Sequence, residues 1–170
     1  MKGDIGMTAG LEGMGATASG SGGIIPWPGT ALPAQPAWQA PLLDGMRTWA
    51  MAAVAGLCPL RVMTARLVER GLAAWVVPLD RFMRTLCLAA ARPLQIGPPD
   101  HDGQLRDETR LLTALQALQL RRTGEAREQL CALVSPDCID ATLHAALLLG
   151  AALRADQKPQ GQLGGANRAR

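Results

Sequence analysis

The apolar residues of this 170-residue chain are mainly alanine and leucine, and this choice limits the folds that are open to it. Only 3% of the residues are aromatic, with one phenylalanine and no tyrosine. Aromatic and β-branched side chains fill the cores of β-proteins, whereas alanine and leucine are among the best helix formers. We therefore predict a mainly α protein, a small helical bundle of about five to six short helices with disordered N- and C-terminal tails.

Hydrophobicity and charge narrow the class further. The chain is 48% hydrophobic and 18% charged, which is enough apolar material to exclude a wholly disordered protein. Its net charge of +3 rests on arginine and gives only slight support to a nucleic-acid partner. The apolar run 48–60 is shorter than the roughly 18 residues of a membrane span, so no transmembrane segment is expected. No apolar leader follows Lys2, which predicts a cytoplasmic location.

Both ends have the composition of tails. Residues 1–40 are rich in glycine and proline, and 156–170 are polar, so neither segment can bury enough surface to offset the entropy of ordering. We expect both to be disordered. Within the first, Trp27 and Trp38 lie among prolines that favour an extended backbone. One interpretation of these tryptophans is an exposed docking motif. The favoured interpretation is that one or both pack back on the core, because isolated exposed tryptophans are uncommon.

Residues 41–93 form the densest apolar region. Proline and glycine positions divide it into predicted helices at about 42–57, 60–76 and 79–92, the last with Asp80 as its N-cap. The segment LQIGPPDHDGQ, residues 94–104, is predicted to be a polar linker between two helical blocks.

Residues 105–155 are predicted to form a helical hairpin plus a third helix. Leu111, Leu115 and Leu118 mark the apolar face of the first helix, which is expected to end at Gly124. A shorter helix follows, and the third begins at SPD, with Ser135 as N-cap and Pro136 at the first helical position. Short connections indicate antiparallel neighbours.

The residue types that carry catalysis or bind cofactors are sparse. His101, between two aspartates, could contribute to a metal or proton-transfer site, but a charged turn is the favoured interpretation, and His144 is expected at the edge of the core. No phosphate-binding glycine motif or CxxC pair is present. We therefore predict no enzyme activity, cofactor or metal. Four cysteines are expected to be small core residues: Cys58, Cys87, Cys131 and Cys138.

One stretch favours a different class of protein. Ala52, Gly56 and Val62 have the spacing of the small residue, turn glycine and buried aliphatic residue of a helix-turn-helix. With LVERGL and AAWVVPLDRFMRTLCL after them, about forty residues resemble winged-helix regulators of the MarR type. The resemblance implies DNA binding, with a recognition helix followed by paired strands at 72–77 and 82–88.

The side chains of this stretch favour backbone contact over base readout. Positions that would face the DNA groove are mostly apolar, among them Leu60, Met63 and Leu67. Phosphate contacts remain open to five arginines: Arg61, Arg66, Arg70, Arg81 and Arg84.

The leading hypothesis is a non-catalytic helical protein-interaction or adaptor module that binds a protein partner or forms a homo-oligomer. Its helices are short and need neighbours, and their apolar faces are wide. The residues assigned to interaction are Trp27, Trp38, Leu115 and Leu147, and aspartate at either leucine is expected to disrupt folding or assembly. The winged-helix DNA-binding regulator is the alternative, and peripheral membrane attachment through 48–60 is a third and less favoured one.

Overall fold

A computed structural model describes residues 35–156 of the chain. Trp27 lies outside the described residues, as do residues 1–34 and 157–170, which make up most of the predicted tails 1–40 and 156–170. The described part is helical and has no strand, which confirms the predicted mainly α fold. Six α-helices follow in order: α1 Gln39–Val54, α2 Pro59–Glu69, α3 Val76–Ala89, α4 Arg106–Gln119, α5 Thr123–Cys131 and α6 Ile139–Asp156.

Glycines with positive φ delimit α2. Gly56, at φ 68°, lies in the turn after α1, and Pro59 occupies the first turn of α2, where its missing N–H costs nothing. The predicted helix 60–76 is wrong at its end, because the chain turns at Gly71, with φ 75°. A short 3-10 turn at Ala73–Trp75 then leads directly into α3.

The strands implied by the winged-helix resemblance are wrong, because α3 occupies residues 76–89. Pro78 lies in the first turn of α3, where proline is tolerated, so the helix starts earlier than predicted. Asp80 is accordingly not the N-cap. It lies inside the helix, where its carboxylate accepts hydrogen bonds from Trp49 Nε1 and Arg84 Nε, both at 2.8 Å.

The end of α4 also differs from the prediction. The helix ends at Gln119, and the left-handed residue of the turn is Arg121, with φ 60°, not a glycine. Gly124, the predicted stop, lies in the first turn of α5. The start of the last helix agrees better: Ser135 has an extended backbone and Pro136 opens a 3-10 turn that continues into α6.

All six helices contribute to one core. Its fully buried large side chains include Trp75 and Phe82, and Trp38 is also buried, with 6% of its surface exposed. The expectation that the cysteines lie in the core is wrong for three of them, because Cys58, Cys87 and Cys131 are exposed. Cys58 precedes α2 and Cys131 ends α5, so both lie near helix ends.

The last helix packs against α3, α4 and α5. With the turn before it, it spans Pro136–Asp156, and an 18-residue stretch of it has a mean hydropathy of 1.4, so it is long and apolar enough to cross a membrane. The sequence-based expectation considered only the run 48–60. Core helices of soluble bundles meet the same criterion, and one side of α6, including Leu149 and Leu153, is buried inside this fold.

Candidate functional site

An open apolar groove of about 780 Å³ lies between α1, α3 and the chain that follows α3. Residues 49–51 and 53–55 line one side, and Met83 and Cys87 of α3 line the other. Four alanines in this lining have short side chains, so they leave space between the larger groups around them: Ala50, Ala53, Ala55 and Ala90. The groove volume falls in the range of about 300–1,000 Å³ that is typical of ligand sites.

The indole of Trp49 fixes α1 against α3 beside the groove. Its Nε1–H donates to Asp80 Oδ1 at 2.8 Å, and Asp80 Oδ2 accepts from Arg84 Nε. Only 5% of the Trp49 surface is exposed. Because the indole N–H has a charged acceptor, the ring presents its apolar part to the groove without leaving a buried donor unpaired.

The third wall consists of residues 92–94 and 96–98, and a carboxylate from α4 holds its first half. Arg92 donates from Nη1 and Nη2 to the two oxygens of Asp107, at 2.7 and 2.6 Å. The Gln95 backbone N–H donates to the same carboxylate at 2.9 Å. The hydrogen bonds from Arg92, with a smaller contribution from Gln95, lower the pKa of Asp107 although burial opposes this.

Glu108, the next residue of α4, holds the second half of the wall. It accepts the Gly97 N–H at 3.0 Å and the Leu105 N–H at 2.7 Å, and Arg47 of α1 donates to both of its oxygens at 2.8 Å. Its side chain is fully buried. Burial opposes its ionisation, but the hydrogen bonds from Arg47, Leu105 and Gly97 outweigh burial and lower its pKa.

Arg47 connects this carboxylate to the chain further on. Its Nη1 donates to the His101 carbonyl at 2.7 Å, and its Nη2 donates to the Gly103 carbonyl at 2.6 Å. A Cβ on Gly97 would lie 3.1 Å from His101 Cβ, so the chain is tightly packed against itself between these two residues. The predicted linker 94–104 is therefore fastened to α1 and α4 at several points.

Electrostatically the groove is nearly neutral. Among the described residues that line it, Arg92 alone is charged, and its guanidinium is paired with Asp107. Cys87 also lines it, but partial desolvation raises the pKa of its thiol, which keeps it protonated near neutral pH. The groove therefore has the chemistry to take an apolar group and lacks an activated nucleophile in this lining.

The rim of the groove leaves large apolar side chains in solvent. Val54 is 92% exposed and Met51 is 48% exposed, and both belong to the lining. Leu57, in the turn after α1, is also more than half exposed. Exposed apolar side chains beside a groove are typical of binding surfaces on proteins.

The structure places the sequence-predicted interaction residues elsewhere. Leu115 is fully buried and Trp38 almost so, and both contribute to the core of the chain. Leu147 lies on α6 and is 38% exposed. None of these three lines the groove, and Trp27 lies outside the described residues.

The arginines of the DNA-binding alternative are partly engaged by carboxylates. Arg66 and Arg70 both contact Asp44, at 2.9 and 3.0 Å, and Arg84 contacts Asp80. Within residues 35–156, Arg61 and Arg81 make no ion pair. His101 belongs to no group of three or more potential metal ligands in the same range.

Sequence reasoning missed the groove and its supporting carboxylates. Asp107 and Glu108 stand in the first turn of a helix, where acidic residues are common because they complement the helix dipole. The one local signal is the position of Glu108 three residues after Leu105, as in a capping box.

Comparisons with models of protein families, with curated proteins and with solved structures found no match to this chain.

Proposed function

We propose that this protein is a non-catalytic interaction module that binds an apolar helical segment of a partner protein in the groove between α1, α3 and residues 92–98. The observation that carries the proposal is the apolar groove of about 780 Å³ with exposed Val54 and Met51 at its edge. Burying these side chains under a partner would release about 25 cal/mol for each Å² of apolar surface.

A helix suits this groove better than an extended peptide. An extended peptide gains much of its affinity by hydrogen bonding to an exposed strand edge, and the described residues contain no strand. A helix satisfies its own backbone and binds through side chains at positions i, i+3, i+4 and i+7. The alanines in the lining would let its backbone approach closely.

The support of the groove wall also favours a binding role. Asp107 and Glu108 fix residues 92–97 before any partner arrives, so binding would not have to order this segment. A preorganised site loses less conformational entropy on association, which improves affinity.

Binding of helical peptides tests the proposal. A set of fluorescently labelled amphipathic helical peptides is titrated with the full chain, each peptide with leucine at positions i, i+3, i+4 and i+7 of an uncharged face. Binding is followed by fluorescence anisotropy. Ala53→Glu places a carboxylate on an exposed position of the lining and should abolish binding. Ala65→Glu, on an exposed position of α2 away from the groove, is the matched control. Equal binding by both variants and the parent chain would refute the proposal.

Titration of the full chain with a mixed-sequence DNA duplex at two salt concentrations distinguishes the DNA-binding alternative from helix binding in the groove. Arg61 and Arg81, which make no ion pair within residues 35–156, are the remaining candidates for phosphate contact. Salt-sensitive binding that disappears in Arg61→Ala and Arg81→Ala would favour that alternative over the groove.

A further inference from the structure

The outward face of α6 is apolar and unpartnered within the described residues. Buried positions such as Leu149 and Leu153 face α3, α4 and α5. The opposite side leaves Leu147 and Leu148 each 38% exposed. Leu148 belongs to a row of exposed residues spaced three and four apart, the pattern of a helix-pairing face, and Leu147 lies beside this row: Ala141, His144, Leu148, Ala151 and Ala155.

The charges beside this face are arranged symmetrically about Leu147. Asp140 lies seven residues before it and Arg154 seven residues after it, so all three occupy the same flank of the helix. Asp140 is 81% exposed, and its contact with Arg127 leaves lone pairs available. Arg154 is exposed and donates from Nη1 to the Leu118 carbonyl, which leaves its other N–H groups free to donate elsewhere.

We propose that α6 pairs in antiparallel fashion with α6 of a second copy of this chain, with the two-fold axis passing near Leu147. Antiparallel pairing places Asp140 opposite Arg154 of the second copy, and symmetry repeats this contact at the other end. Parallel pairing would instead place like charges together. The proposal rests on α6 and stands independently of the groove.

Self-pairing is favoured over pairing with an unrelated helix because the face is complementary to itself. A two-fold interface uses the same patch on both copies, so each residue must be compatible with its symmetry-related position. Here acid meets base, leucine meets leucine, and alanines at 141 and 151 allow close approach of the two helices. The helix dipoles also oppose each other in this arrangement.

Charge reversal tests both the antiparallel direction of the α6 pairing and the identity of the partner as a second copy of the chain. Sedimentation equilibrium on the full chain should show a dimer, and Asp140→Arg or Arg154→Asp should weaken the dimer about tenfold, since each reverses two symmetry-related contacts. The double variant should recover the parent dissociation constant. The two positions are about 21 Å apart along one helix, beyond the screening length at ordinary salt, so such recovery must come from contact between copies.

Further variants keep the outcome interpretable. Leu147→Asp should keep the circular dichroism spectrum of the folded chain but sediment as a monomer. Leu88→Asp, at an 89% exposed position of α3, should leave the dimer unchanged. The proposal would be overturned if the parent chain were monomeric over the whole concentration range. This holds also if the monomer binds phosphatidylcholine vesicles instead and co-sediments with them. A double variant as weak as the single ones would overturn it as well. The groove variant Ala53→Glu should dimerise normally, so failure of one proposal leaves the other testable.

Discussion

Replacing Glu108 by glutamine should destabilise the fold far more than the size of the change suggests. The four groups around this carboxylate are all donors: two nitrogens of Arg47 and the backbone N–H groups of Gly97 and Leu105. A glutamine amide can turn its oxygen toward only some of them, and its NH₂ must then face another donor. Arg47, only 5% exposed, would also lose its counter-charge. Breaking a buried ion pair in this way costs about 3–5 kcal/mol.

The loss is large relative to the whole, since domains of this size unfold with about 5–15 kcal/mol. Urea unfolding followed by circular dichroism at 222 nm measures it as a shift of the midpoint at constant slope. Glu125→Gln is the matched control, because it makes the same chemical change in an ion pair whose two side chains are more than half exposed. That control should cost less than about 1 kcal/mol.

Hydrogen exchange measures the effect of Glu108→Gln on individual backbone amides near the carboxylate. The amides of Gly97 and Leu105 donate directly to Glu108, so their protection should fall in Glu108→Gln before that of the helix centres. If the two glutamine variants lose equal stability, or if these amides keep their protection, the assigned role of the buried carboxylate is incorrect.

Two further predictions follow from the same structure. The pKa values of Asp107 and Glu108 are lowered in the folded state, so the unfolded chain binds more protons in acid. The free energy of unfolding should therefore decrease as the pH falls below about 4, and Glu108→Gln should show a shallower decrease; identical acid dependence in urea melts would contradict this. Alanine at Gly45 would place its Cβ 3.0 Å from Cδ2 of the buried Leu79, so overpacking should offset the gain in helix propensity, whereas alanine at Gly124, with no atom within 4 Å, should stabilise by about 0.5–1 kcal/mol. Thermal melts should show a higher midpoint for the Gly124 variant and no increase for the Gly45 variant.

The fold class could be predicted because its signals are local. Alanine and leucine at helical spacing specify helices wherever the chain places them, and the Leu111, Leu115 and Leu118 stripe is buried as expected. Helix ends were harder to predict because several residues compete for each stop. Gly71 rather than Pro78 separates α2 from α3, and Arg121 takes the left-handed position that Gly124 was expected to provide.

The groove could not be predicted because its wall depends on contacts between distant residues. Arg47 and Glu108 are 61 residues apart, and Arg92 and Asp107 are 15 apart. Nothing in the sequence LQIGPPDHDGQ distinguishes a fastened segment from a free linker, since proline and glycine favour both. The prediction that the cysteines lie in the core failed for a related reason: cysteine is often buried, but position in the fold, not residue type, decides its exposure here.

The length of the connection between α3 and α4 also supports the proposed binding role. It comprises residues 90–105, whereas about 2–8 residues are enough to join helices in a bundle. A buried ion pair is not an economical way to stabilise a core, because apolar residues of the same volume often do as well or better. What Arg47 and Glu108 provide instead is a defined position for a long connection, and that position forms one wall of the groove. Asp107 holds Arg92 at the other end of the wall through two hydrogen bonds. Two carboxylates in one helical turn thus hold a segment that packs Leu94 and Ile96 against the core and forms one wall of the groove.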